Sequence, residues 1–148
     1  MLQPADLLLL GGTIITMDDR WTLIRDGGIA IAGGAILAVG PAEEIRAAYA
    51  APETISAAGC LMIPGLINAH THAPMVLYRG LADDLPLDTW LKEYIWPAEG
   101  RTVNPEMVYW GTLLAADEMI RAGVTLFADM YFYEDDIGRA AADAGMRA

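Results

Sequence analysis

After Pro64 the sequence alternates between short apolar runs and longer helical patterns. LINAHTH at 66–72 and VTLFAD at 124–129 are typical of buried strands. The residues between them predict a loop and two helices. EDDIGRAAADAG at 134–145 predicts a third helix, followed by the onset of another strand at MRA. Strands that alternate with helices indicate a parallel α/β array, so this part of the chain is expected to open such a fold.

The longest helical pattern begins near residue 104. Asn104 is a favoured N-cap, Pro105 fits the first helical position, and Gly123 predicts the end of the helix. Four residues recur at helical spacing and are therefore expected to share one face of this helix: Tyr109, Leu113, Ala116 and Ile120. A shorter helix is predicted over about 87–96, after a loop rich in Pro, Gly and Asp at 73–85.

Residues 1–63 are rich in short strand patterns. GGIAIAGGAILAVG at 27–40 holds two β-rich runs around Gly33-Gly34, which is a hairpin signal. A first such pair, DLLLL and TIITM, flanks Gly11-Gly12. PAEEIRAAYA at 41–50 predicts a short helix with acidic residues in its first turn, and ETISA and LMI predict further strands.

Composition excludes several classes of function. The 148 residues are 55% hydrophobic and carry a formal net charge of −11, which argues against a nucleic-acid or anionic-membrane partner. Cys60 is the single cysteine, so no intrachain disulfide can form and a reducing compartment is expected. No secretory signal is visible, and the longest uncharged apolar stretch, 29–40, is too short to cross a bilayer. A cytoplasmic protein is therefore expected.

The two histidines of the chain, His70 and His72, are separated by one residue at the end of a predicted strand. Residues i and i+2 of a strand point to the same face, so both imidazoles are expected on one side. Two adjacent imidazoles suit Zn²⁺ and also Fe, Ni or Cu ions. The carboxyl end of a strand is where a (β/α) barrel carries its chemistry. The alternative is that both histidines are ordinary surface residues at a strand end.

The stretch that contains these histidines, PGLINAHTHAPMVLYRGLADDLPLDTWLKEYIWPAEG, resembles the amidohydrolase superfamily. PGLINAHTH is typical of the superfamily as a whole. RGLADDLPLDTWL…IWPAE at 79–99 is more specific and is similar to the 5′-methylthioadenosine/S-adenosylhomocysteine deaminases and their chlorohydrolase-like relatives. YWGTLLAADEMIRAGVTLFADM at 109–130 continues the similarity. Residues 1–63 resemble the N-terminal β-sandwich portion of these enzymes, so the resemblance covers nearly the whole chain.

The resemblance implies a fold and a set of site residues. The fold would be α/β, with residues 1–63 forming part of a small β-sandwich domain. Residues 64–148 would form the first βα units of a metal-dependent (β/α)8 TIM barrel. His70 and His72 would be metal ligands, most simply for Zn²⁺, although another divalent transition metal fits the same donors.

The motifs DTWL and WPAE match positions that contact a nucleoside in the deaminases, which implies that Trp90 and Glu99 bind substrate. A carboxylate can accept hydrogen bonds from two vicinal ribose hydroxyls, and an indole offers a flat apolar face to a purine or a thioether. Alternatively, Trp90 is a core aromatic of an amphipathic helix and Glu99 is a solvated acid at a helix end. Asp129 ends a predicted barrel strand, and structural hydrogen bonding is its expected role.

The resembled enzymes take further ligands, His, His and Asp, and a proton-shuttling Glu from later strands. This chain has no histidine after His72, so it is interpreted as an N-terminal fragment that is inactive by itself. In the parent enzyme, zinc would lower the pKa of a bound water toward about 7. Attack on the purine carbon that bears the amino group would then release ammonia.

Two other classes remain open. One is a fragment of a related amidohydrolase, of the chlorohydrolase, triazine or guanine deaminase type. Glu99 distinguishes this class from the nucleoside deaminases, because it favours a substrate that carries ribose. The other is a non-catalytic truncated product. The expected partner is a small-molecule nucleoside, and a homo-oligomer is left open.

Overall fold

Strands dominate the N-terminal part of the chain, and helices dominate the rest. The computed structural model describes residues 1–148 and divides them into an N-terminal unit, Met1–Pro64, and a C-terminal unit, Gly65–Ala148. None of the helices combines the length and the apolar composition that crossing a bilayer requires.

The N-terminal unit is built on a sheet whose central strand pairs with three others. Strand β2 pairs antiparallel with β3 and parallel with β6 and β7, while β3 pairs antiparallel with β4. A separate parallel pair joins β1 to β5. The elements are β1 Gln3–Pro4, β2 Leu7–Ile15, β3 Leu23–Ala32, β4 Ala35–Pro41, α1 Ala42–Ala48, β5 Tyr49–Ala50, β6 Glu53–Ser56 and β7 Leu61–Met62. Side chains of β2 alternate in burial, so that one face packs against α1.

The two Gly-Gly pairs of this unit have different roles. Gly33 and Gly34 both have positive φ, +58° and +74°, and form the tight turn between β3 and β4, which confirms the predicted hairpin. The prediction of two strands around Gly11-Gly12 is wrong, because β2 continues through both residues with an irregular register. A Cβ at Gly12 would lie 3.0 Å from the Ala57 Cβ, so this glycine permits close packing inside the sheet.

The C-terminal unit has the predicted order of strand, helices, strand and helix. Parallel strands β8 and β9 pair, and Arg147 forms a parallel bridge to Leu126, so a third strand begins where MRA was predicted to start one. The elements are β8 Leu66–Thr71, a 3₁₀-helix Ala73–Tyr78, α2 Leu87–Thr89, a π-helix Trp90–Ile95, α3 Trp96–Thr102, α4 Pro105–Arg121, β9 Val124–Asp129 and α5 Glu134–Asp143. A mixed α/β unit with a parallel sheet is thereby confirmed.

Helix α4 contributes more buried residues to this unit than any other element. Its N-cap is as predicted, since the Asn104 side chain accepts a 3.0 Å hydrogen bond from the Met107 N–H, and Gly123 follows its end with φ +79°. The predicted face coincides only in part with the buried one, because Ala116 is fully buried whereas Ile120 is 50% exposed. The buried residues of α4 are Val108, Gly111, Thr112, Ala115 and Ala116.

The predicted loop at 73–85 is wrong in its first half. Residues 73–78 form a 3₁₀-helix, in which the Met75 N–H donates to the His72 carbonyl at 2.9 Å. This segment packs against α4 so closely that a Cβ at Gly111 would lie 2.9 Å from the Pro74 carbonyl oxygen. Tertiary packing therefore orders a segment whose composition is typical of a loop.

Candidate active site

The histidine pair lies at the carboxyl end of β8. His70 is the next-to-last residue of the strand, and His72 follows the last one. Their ring centroids are 5.1 Å apart and the rings are nearly perpendicular, at 86°. Rings on opposite faces of a strand could not approach so closely, so both imidazoles lie on one side, as the alternation predicts.

The neighbouring strand orients the ring of His72. Its Nδ1 lies 2.5 Å from the backbone carbonyl oxygen of Met130, one residue beyond β9. A carbonyl can only accept a hydrogen bond, so Nδ1 carries the proton, and in the tautomer with a single proton the lone pair is on Nε2. Metal-binding histidines are commonly oriented by such a bond to a carbonyl. Across residues 1–148, no three His, Cys, Asp or Glu side chains form a group that could hold a metal ion.

Asp129 occupies the end of β9. Its Oδ2 accepts a 2.7 Å hydrogen bond from the Ala73 N–H, while its Oδ1 is buried without a hydrogen-bond partner. Burial raises the pKa of this carboxyl, and the hydrogen bond from Ala73 opposes that effect only in part. The expected structural hydrogen bond is therefore present, but the carboxylate is incompletely satisfied.

A cleft of about 500 Å³ opens beside His72. Trp90 and Glu99 both line it, so the structure brings three of the four predicted site residues to one cavity. His70 is adjacent to His72 but is not part of the lining. The remaining lining is mostly apolar and consists of Met75, Leu87, Leu91, Ile95, Trp96, Met130, Tyr131 and Phe132. A cavity with few polar groups among apolar walls is typical of a small-molecule site.

The Glu99 carboxylate is held by Tyr131. The Tyr131 hydroxyl donates a 2.7 Å hydrogen bond to Glu99 Oε1, and the Tyr131 ring lies 6.3 Å from the His72 ring. Burial, reinforced by the bond to Glu99, raises the pKa of the Tyr131 phenol far above its usual range. The phenol therefore keeps its proton and donates it in the hydrogen bond to Glu99.

An irregular helix directs Trp90 and Glu99 into the same cleft. Residues nine apart on a regular α-helix point about 180° apart, because each residue turns the helix by about 100°. Here the intervening turn is a π-helix, in which the Trp96 N–H donates to the Leu91 carbonyl five residues back. Pro97 accounts for this, since it cannot donate to Glu93 and its ring would clash with that carbonyl in an α-helix. The prediction of a helix over 87–96 is correct in kind but missed both the π-helix and the continuation to Thr102.

Met130 and Tyr131 are site residues that the sequence reasoning missed. Both residues follow β9 directly. Side chains just beyond the carboxyl ends of parallel strands meet at one edge of the sheet, which is the reason that His70 and His72 were predicted to form a site. Because VTLFAD was itself predicted to be a strand, the same reasoning predicts site residues immediately after it.

Two families of known proteins match parts of the chain. The model described as "Amidohydrolase family" matches residues 61–148, and a model described as "Imidazolonepropionase-like composite domain, bacteria" matches residues 27–51. The first match covers more than half of the chain, which therefore belongs to the amidohydrolase family. The resemblance inferred from PGLINAHTH is confirmed.

Individual proteins show similarity along nearly the whole chain. It is 50% identical over 146 residues to 5-methylthioadenosine/S-adenosylhomocysteine deaminase 1 of Syntrophus aciditrophicus, a match that covers 99% of this chain and 33% of that protein. The chain thus spans about a third of the length of this curated relative.

Two solved structures of related enzymes are also similar to this chain. An adenosine deaminase from Xanthomonas campestris with bound zinc has a TM-score of 0.95 and 40% identity, over 100% of this chain and 34% of that one. An atrazine chlorohydrolase from Arthrobacter aurescens complexed with zinc has a TM-score of 0.79 and 27% identity, over 95% of this chain and 34% of that one.

Proposed function

We propose that these residues belong to a zinc-dependent hydrolytic deaminase that acts on adenosine-type nucleosides, 5′-methylthioadenosine and S-adenosylhomocysteine, and releases ammonia. The observation that carries this proposal is the cleft in which His72, Trp90 and Glu99 come together beside His70. Similarity to the Syntrophus deaminase and to the Xanthomonas adenosine deaminase supports the substrate class.

The proposal includes a larger fold. Residues 1–63 would supply part of a β-sandwich, and residues 64–148 would supply the first βα units of a (β/α)8 barrel. The parallel pairing of β8 with β9 and the bridge at Arg147 support a sheet that continues in the barrel sense.

His70 and His72 are the proposed metal ligands, and their geometry fits that role. Two imidazoles bound to one tetrahedral zinc at about 2.0–2.1 Å have ring centroids about 5 Å apart. The observed separation is 5.1 Å, and the tautomer of His72 leaves Nε2 available. When bound, zinc would supply an activated water near neutral pH.

Glu99 is the proposed ribose ligand. With Oε1 held by Tyr131, the carboxylate keeps a fixed orientation and still offers Oε2 and a second lone pair on Oε1 to vicinal hydroxyls. A nucleoside that fills the cleft would displace water from this mostly apolar lining, which would strengthen these hydrogen bonds. Trp90 offers an indole face to the purine or to the thioether. The chain's own residues thus bind and orient the nucleoside.

The similarity to the atrazine chlorohydrolase structure supports a second candidate, a hydrolase acting on a triazine. An apolar cleft would suit such a ring equally well. A ribose-binding carboxylate would have no function there, so the role of Glu99 distinguishes the two candidates.

The test uses the full-length protein that carries these residues, purified with zinc. Ammonia release is measured with 5′-methylthioadenosine, S-adenosylhomocysteine, adenosine, adenine, guanine and atrazine, and chloride release is measured with atrazine. We expect turnover of the nucleosides and little of the free bases. Chloride release without nucleoside deamination would replace the proposal with the second candidate. Zinc content is measured for His72→Ala, which is expected to lose the metal.

A further inference from the structure

Asp129 and Met130, two consecutive residues at the end of β9, form three hydrogen bonds with His72 and its two neighbours. The Met130 carbonyl accepts the proton of His72 Nδ1, and the Met130 N–H donates to the carbonyl of Thr71 at 3.1 Å. The Asp129 carboxylate accepts the N–H of Ala73 at 2.7 Å. The backbone on both sides of His72 and its ring are therefore all anchored to the same strand end.

The backbone at His72 needs this anchoring because it belongs to no regular element. Strand β8 ends at Thr71 and the 3₁₀-helix begins at Ala73, while His72 itself has φ −124° and ψ 71°. The first N–H groups of a helix have no partner within it. Ala73 is only 3% exposed, so without Asp129 its N–H would be buried and unsatisfied.

The Ala73 N–H requires an acceptor oxygen at this position but not a charge. The buried Oδ1 of Asp129 has no partner, and an uncompensated polar atom of this kind is unfavourable. A neutral amide of the same shape would accept the bond from Ala73 without burying a charge. The acceptor oxygen on Ala73, and not the charge of the carboxylate, is therefore what holds the backbone beside His72.

We propose that Asp129 is a positioning residue for His72: by accepting the Ala73 N–H it fixes the turn that aims the His72 imidazole, and so sets the affinity of the site for its metal. This inference rests on the proposed role of His72 as a metal ligand. Asp129 itself does not touch the metal, and its effect is transmitted through the backbone of residues 72 and 73.

The test measures zinc affinity by competition with a chelator in three variants of the full-length protein. Asp129→Ala removes the acceptor, and Asp129→Asn keeps it. Asp6→Ala is the matched control, because Asp6 Oδ2 accepts the Gly33 N–H at the same distance, 2.7 Å, within the N-terminal unit. Loss of residues that orient metal ligands commonly weakens metal affinity by about ten- to hundredfold.

We expect Asp129→Ala to lose about that much affinity, and Asp129→Asn and Asp6→Ala to stay within about threefold of the wild type. The visible absorption spectrum of the cobalt-substituted protein should change in Asp129→Ala alone, a readout that a general loss of stability would not move. The melting temperature of each apoprotein is recorded to separate unfolding from weakened binding.

Three results would overturn the inference: unchanged affinity in Asp129→Ala, an equal loss in Asp6→Ala, or a loss in Asp129→Asn as large as in Asp129→Ala. Failure of the proposed function is distinguishable from these. If His72→Ala keeps its zinc, the assignment of the metal ligand is itself wrong. If His72→Ala loses zinc while Asp129→Ala does not, only the positioning role fails.

Discussion

The Tyr131 hydroxyl donates a 2.7 Å hydrogen bond to Oε1 of Glu99, across the cleft beside His72. The two residues are 32 positions apart, one after β9 and the other in α3. The bond fixes the orientation of the Glu99 carboxylate, which is the one acidic group that lines the cleft. The proposed ribose site consequently depends on a phenol as well as on a carboxylate.

Replacing Tyr131 by Phe is expected to weaken nucleoside binding while leaving the metal in place. A hydrogen bond to a charged group contributes about 1.5–3 kcal/mol, but Glu99 keeps its own contacts with the substrate, so only part of this is expected to appear, as a rise in KM of about two- to tenfold. Steady-state kinetics of the full-length protein with 5′-methylthioadenosine measure this. Tyr109→Phe is the control, because the Tyr109 hydroxyl also donates to a carboxylate, Asp143 at 2.8 Å, outside the cleft. Equal effects of the two substitutions would contradict the prediction.

Glu99→Gln is expected to lower kcat/KM for nucleosides by about ten- to hundredfold, because hydrogen bonds to a charged group contribute roughly 1.5–3 kcal/mol. Bound zinc per chain should not change, since Glu99 is proposed to contact substrate. Glu93→Gln, an exposed residue of the same helical segment, provides the control. Loss of zinc would make Glu99 a metal ligand or a support for one. An equal effect on a free base without ribose would refute the ribose assignment and favour a triazine- or guanine-type substrate.

Pro97→Ala tests the irregular helix. Restoring an N–H at residue 97 allows an α-helical bond to Glu93, which should shorten the π-turn and rotate Trp90 away from the direction of Glu99. Because misplacing a substrate-contacting group by about 1 Å can lower rates by as much as a hundredfold, we expect kcat/KM to fall by at least about threefold. The melting temperature should stay the same or rise. Unchanged kinetics with a rearranged helix in a crystal structure would show that the π-turn does not position the pair.

The pair formed by Tyr109 and Asp143 predicts a dependence of stability on alkaline pH. The hydrogen bond to Asp143, with some burial, raises the pKa of the Tyr109 phenol above its usual value of 10.0. A group whose pKa is raised in the folded state stabilises it fully below the unfolded pKa and loses that contribution as pH rises through the folded pKa. The difference in melting temperature between the wild type and Tyr109→Phe should therefore be constant up to about pH 9 and shrink above about pH 10. A difference that grows with pH would contradict the assigned direction.

Sequence reasoning succeeded where the signal is contained within a few residues. The alternation of His70 and His72 predicts rings on one side, Asn104 predicts a helix start, and Gly33-Gly34 predicts a hairpin, because each depends on local backbone geometry alone. It failed at Gly11-Gly12 and over residues 73–78. In both places the deciding contact is with a distant segment, from Ala57 in the first and from α4 in the second.

The sequence by itself determined the family, the order of strands and helices, and the identity of the residues available for chemistry, because periodicity, capping and motif spacing are properties of neighbouring positions. Only the tertiary structure decided which of those residues meet. Pairing of β8 with β9 brings the Met130 carbonyl to His72 Nδ1 and the Asp129 carboxylate to the Ala73 N–H. These two hydrogen bonds join residues that are 58 and 56 positions apart. The widened turn before Pro97 directs Trp90 and Glu99 to one side, where Tyr131 reaches the carboxylate. The physical reason is that a hydrogen bond between strand ends depends on the packing of the whole βαβ unit between them, which no local pattern encodes.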